Sequence, residues 1–149
     1  MIKEKKYALI SILGFSIFFL FNIYLFEGSC YFTGDGLRHY MVSRWCWQHP
    51  DLLFYHWGKP FFTIIASPFA HFGHGGIQVF NIIVSAIGIW CLFLMTHKHQ
   101  IKNAWLVVPF SYLCIGFFTV INTGLTEPLF FCMIATCAWL AYDKKYLLS

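Results

Sequence analysis

An aspartate within Thr33-Gly34-Asp35-Gly36, followed three and four residues later by Arg38 and His39, puts a carboxylate, a cation and an imidazole on about one helical turn. Such a group can take a proton from a hydroxyl while positive charge waits beside a developing anion, which is what general-base transfer chemistry needs. From local sequence alone, an aspartate in this turn also reads as a helix cap that accepts backbone N–H groups. Arg44 and Lys59 add donors suited to a phosphate, or to pairing with Glu127 or Asp51. Glu127 begins an apolar segment, where a helix dipole favours negative charge. An acid at membrane depth also needs a partner or a wet cleft, which makes Glu127 a second candidate for function.

Seven histidines and six cysteines raise the question of a metal or a haem, and His71 with His74 has an i, i+3 spacing. No CxxC is present, and the apolar segments carry no histidine placed to ligate a haem between helices. No metal site is expected. Cys91, Cys114, Cys132 and Cys137 read as small apolar residues of helix interiors. Cys30 and Cys46 share one compartment and are candidates for a disulfide.

The elements that must position these groups are set by hydrophobicity. Apolar residues are 59% of the chain and charged residues 11%, beyond what a soluble fold of 149 residues hides. The expected fold is all-α, a polytopic membrane helical bundle in one domain. Tyr7 to Phe26, Ile77 to Thr96, Ala104 to Ile121 and Thr126 to Tyr142 read as four spans. The first is too long for a cleaved signal sequence and lacks a small-x-small site after it. Thr126 is the expected N-cap of the last, with Pro128 in its first turn.

Between the first two spans lie two surface helices, Asp35 to His49 and Pro60 to Phe72. The first is drawn with Leu37, Tyr40, Met41 and Trp45 on one face and Asp35, Arg38, His39 and Ser43 on another. The second is too short to span, is interrupted near Pro68 and ends in the Gly73 to Gly76 stretch. This arrangement keeps Lys3, Lys5, Lys6, Lys98, Lys102, Lys144 and Lys145 on the cytoplasmic side and faces residues 27–76 outward. Trp45, Trp47, Tyr55 and Trp57 are residue types of the headgroup level. A net charge of +4 without a basic patch interleaved with stacking aromatics excludes nucleic-acid binding.

The stretch GDGLRHYMVSRWCWQHPDLLFYHWGKPFFTIIASPFAHFG, the span FNIIVSAIGIW and then TGLTEPLFF resemble the amino-terminal part of the glycosyltransferase C superfamily, specifically relatives of polyprenyl-phosphate-mannose-dependent mannosyltransferases. The resemblance covers nearly the whole chain. It implies transfer of a sugar from a polyprenyl-phosphate donor to an acceptor hydroxyl on the outer face of a bacterial cytoplasmic membrane. It implies Asp35 as the first-loop acid acting on the acceptor, Lys59, Arg38 or Arg44 as stabilisers of the phosphate leaving group, and Glu127 as a cleft residue. His39 stands beside Asp35 as a further substrate-binding candidate. The chain departs from the family in having Gly36 where many relatives carry a second acid. It is also several times shorter than family members, which leads us to expect a fragment or one half of a split enzyme, with a second chain supplying further spans. The competing expectation is a small non-enzymatic membrane protein, an assembly partner or a flippase-like lipid-binding module.

Overall fold

A computed structural model of the chain describes residues 2–26, 33–56 and 58–143, and among these every regular element is helical. Helix α1 is Ile2–Leu25, α2 is Gly34–Trp45, α3 is Pro60–Ala70 and α4 is His74–Lys98. Helices α5, Val107–Leu113, and α6, Ile115–Asn122, precede α7, Glu127–Tyr142. Short 3₁₀ turns at Pro50–Phe54 and Ala104–Leu106 complete the path. Helices α1 and α4 are long and apolar enough to cross a membrane, and the bent α5–α6 pair makes a third candidate if taken as one span.

Helix α4 is the spine, touching every other helix of the bundle and packing most extensively on α7. One wall of α4 carries Ile82, Ile89 and Phe93 into a cluster with Ala8, Ile12 and Phe19 of α1 and Val108 and Tyr112 of α5. Another carries Ile77, Phe80 and Val84 into a cluster with Phe62 and Ala66 of α3 and Leu129 and Cys132 of α7. Polar contacts tie the helix ends together. Glu4 of α1 meets His97 of α4 at 3.1 Å, and Lys98 of α4 meets Asp143, which closes α7, at 2.7 Å. The start of α1 and the ends of α4 and α7 therefore share one end of the bundle. The lysines Lys3, Lys5, Lys6 and Lys98 are carried there.

Three sequence expectations need correction. Residues 104–121 do not form one straight span: the helix breaks at Cys114, whose ψ of 116° is extended, and α5 and α6 meet at 64°. Polar residues of α4 satisfy carbonyls left open where α6 ends. Asn81 donates to Leu125 O at 3.0 Å and Gln78 to Asn122 O. Second, Pro68 does not interrupt α3, which runs on to Ala70. A proline lacks the N–H that would bond the carbonyl four residues earlier, here that of Ile64. The Ser67 hydroxyl donates to that carbonyl at 2.9 Å, and the Trp47 indole N–H donates to Ser67 Oγ at 2.8 Å.

Third, α2 stops at Trp45 rather than His49. Its buried residues are Gly36, His39, Val42 and Ser43, while Leu37, Met41 and Trp45 are exposed. A methyl group on Gly36 would overlap the backbone carbonyl oxygen of Thr123, so the absence of a side chain lets α2 sit directly on the loop after α6. Small and hydrogen-bonding residues mark the contact, as they do where helices pack without water as the competing phase. Thr126 holds the N-cap position of α7, but its side chain makes no capping hydrogen bond; Pro128 is in the first turn as expected.

Candidate functional site

The starts of three helices meet at the end of the bundle opposite the lysines. Helix α2 begins there because Thr33 Oγ1 accepts the Gly36 N–H at 3.0 Å, which makes Thr33 and not Asp35 the cap. Helix α3 follows Lys59 and α7 follows Thr126, each with a proline in its first turn and neither with a side-chain cap. The Thr123 carbonyl beneath Gly36 fixes α2 against the segment that leads into α7.

His39 is the centre of this arrangement. It projects from the inner face of α2, is 5% exposed, and lies edge-on to Phe62 of α3 at 5.7 Å between ring centroids. Burial pushes its pKa below the ordinary histidine value, and the Lys59 charge pushes the same way. The carboxylates of Asp35 and Glu127 oppose that shift, so all three charges act on one ring. The imidazole is thereby kept neutral, able to accept a proton or share one with a neighbour.

Lys59 and Glu127 line one cavity of about 420 Å³, together with Thr126 and the apolar side chains of Phe61, Leu129, Phe130 and Met133. One side of it is polar and carries both signs of charge. The other is apolar and continues on to the exposed surfaces of Phe130 and Met133. A molecule with an ionic head and a hydrocarbon tail matches that division.

The remaining candidates lie apart. Arg44 donates to the Tyr40 hydroxyl and stacks over the Tyr40 and Trp45 rings, 5.8 and 5.6 Å from their centroids. Tyr40 in turn lies edge-on to His74 at 6.0 Å. Arg38 lines a second cavity, on the outer side of α2. Asp35, His39, Lys59 and Glu127 are thus brought together, while Arg38 and Arg44 are not part of that group.

Among the described residues no group of three or more histidine, cysteine, aspartate or glutamate side chains could hold a metal ion. Cys46 is a free, buried thiol that donates to Ser43 O at 3.3 Å; Cys30 lies outside the described residues, as do Trp57, Lys144 and Lys145. Sequence reasoning missed Gln78 and Asn81, whose amides support the segment beneath Gly36. Their signal was two polar residues three apart inside an otherwise apolar helix. Comparison with protein-family profiles, with curated proteins and with solved structures finds no match.

Proposed function

We propose that this chain is a membrane glycosyltransferase, or its amino-terminal portion, transferring a sugar from a polyprenyl-phosphate donor to an acceptor hydroxyl. The observation that carries the proposal is the meeting of Asp35, Lys59 and Glu127 around His39, from segments up to ninety residues apart, beside a mostly apolar cavity that carries Lys59 and Glu127 in its lining. The lipid phosphate lies near Lys59, with the first isoprenoid units along Phe130 and Met133. Asp35, exposed in the first turn of α2, takes the proton of the acceptor hydroxyl as its oxygen attacks the anomeric carbon. The bond from that carbon to the phosphate oxygen breaks, and Lys59 meets the negative charge left on the phosphate. His39 orients Asp35 and shares its proton. By the resemblance the sugar is mannose.

In the membrane, α1, α4, the bent α5–α6 pair and the 16-residue α7 form four crossings, with α2 and α3 on the outer surface. The shared end bearing Lys3, Lys5, Lys6 and Lys98 faces the cytoplasm of a bacterial cell. Exposure of Trp45, Trp47 and Tyr55 suits α2 and its following turn to headgroup level.

The test is transfer of labelled mannose from polyprenyl phosphate in vesicles holding the chain, alone and with host membrane extract to supply a partner chain. Asp35→Ala abolishes transfer if the assignment is right, and undiminished transfer removes Asp35 as the base. A non-catalytic lipid-holding module would use the same cavity, and its amphipathic lining favours that reading too. Saturable binding of polyprenyl phosphate that Lys59→Gln weakens, with no transfer under either condition, would identify it.

A further inference from the structure

The second cavity, about 460 Å³, lies between the outer side of α2 and the turn that follows Pro50–Phe54. Leu37, Met41, Val42 and Tyr55 make its apolar wall, and Arg38 and His56 supply its polar atoms. Among its described lining residues there is no carboxylate, in contrast to the cavity of Lys59 and Glu127. The Tyr55 ring holds the His56 imidazole at 4.4 Å between centroids, fixing an N–H-bearing ring at the cavity edge. Its rim is greasy: Met41 is 50% exposed, Tyr55 53% and the neighbouring Phe54 87%. Exposed aromatic and aliphatic groups beside a guanidinium are the residues that settle at the headgroup level of a bilayer.

We propose that this cavity binds the headgroup of an acidic phospholipid, with the first acyl carbons against Leu37 and Met41. The choice of occupant follows from charge. A guanidinium forks onto phosphate oxygens in two parallel hydrogen bonds, and a cavity whose described polar atoms come from Arg38 and His56 favours a headgroup of net negative charge over a zwitterionic one. The apolar wall favours a lipid over a free anion. Because α2 also carries Asp35 and His39, a lipid seated here sets the height of the reacting groups relative to the membrane surface. The inference rests on the membrane placement described above and not on sugar transfer.

The experiment uses the full chain in nanodiscs of equal phosphatidylglycerol and phosphatidylcholine, with retained lipids counted by native mass spectrometry. The native chain retains phosphatidylglycerol in preference. Arg38→Gln lowers the ratio by about 5–10-fold, the worth of one charge-assisted contact, and Arg38→Lys keeps part of the preference. Met41→Glu, at an exposed position where folding is not at stake, lowers the ratio by putting a carboxylate at the wall. Lys102→Gln, an exposed position in the cytoplasmic lysine cluster, leaves it unchanged, which separates a local site from overall charge. An unaltered preference in Arg38→Gln overturns the proposal. So does an equal loss in Lys102→Gln, which would make the effect one of overall charge, or displacement of the lipid by inorganic phosphate, which would make the site one for free anions.

Discussion

At the scale of single residues, burial decides more than type. His39 shows this through its protonation. In the unfolded chain it takes up a proton near 6.5, and in the folded chain only at lower pH, because burial and Lys59 disfavour the cation. The folded state therefore binds fewer protons in that interval, and its stability is full above pH 6.5 and falls as pH drops through that value. Thermal unfolding in detergent between pH 8 and 5 should show this loss in the native chain and a smaller one in His39→Gln. Removing Lys59 acts on the same ring in the opposite sense to removing Glu127. Lys59→Gln raises the His39 pKa and Glu127→Gln lowers it, as the imidazole NMR shifts would record.

Gly36 makes the complementary point, since its importance lies in what it lacks. Gly36→Ala drives a methyl into the Thr123 carbonyl, and backbone on both sides leaves little room for relief. A cost of about 1–3 kcal/mol is expected from overpacking of this kind, read as a lowered unfolding temperature. If the variant is as stable as the native chain, the close approach of α2 to that loop is not as drawn. The presence of Asp35, His39 and Gly36 was legible from the start. Which of them cap, bury or touch was not, because that depends on Thr123 and Phe62, remote in sequence.

At the scale of elements, length and composition were reliable guides and straightness was not. Helices α1 and α4 were readable because a run of about 20 apolar residues admits few other structures. The break at Cys114 was not, since an apolar run from Ala104 to Ile121 reads as one segment whether or not its helix bends. Which face of α2 turns inward was not readable, because an apolar face marks the interior only when water is outside. Pro68 was misjudged because its damage to α3 is repaired by the preceding serine. Ser67→Ala leaves the Ile64 carbonyl and the Trp47 indole without their mutual bridge. The expected loss is about 1 kcal/mol, with faster hydrogen exchange over residues 46–56 than in the native chain. Unchanged exchange there would show that the bridge does not hold the turn to α3.

At the scale of the whole molecule, the two apolar clusters share α4, and the polar ties at one end leave the other to the site. Reporter fusions test the placement directly. A fusion after Gly76 should report the outer side and one after Thr96 the cytoplasmic side. The reverse result would mean that α3 crosses the membrane and the surface assignment of α2 and α3 is wrong. The bundle as a class was legible from composition alone, because no small water-bounded core accommodates so many apolar residues. That one helix would serve two clusters was not, as pairwise packing leaves no trace in a hydrophobicity pattern.

The packing of α1 bears on how the molecule is made. Its main partners are α4, α5 and the turn at Ala104–Leu106, all of which are translated later. About 50 residues separate the end of α1 from the start of α4, roughly 3–10 s of synthesis at ordinary elongation rates. In the proposed membrane placement α1 stands in the bilayer alone through that interval, and only its own apolar length keeps it there. Its largely exposed surface, with Ile17, Phe21 and Tyr24 outward, equips it for that solitary period as much as for the finished bundle. A polar substitution on that outward face would therefore be felt first at the ribosome, as failed insertion, before any folded state existed to be destabilised.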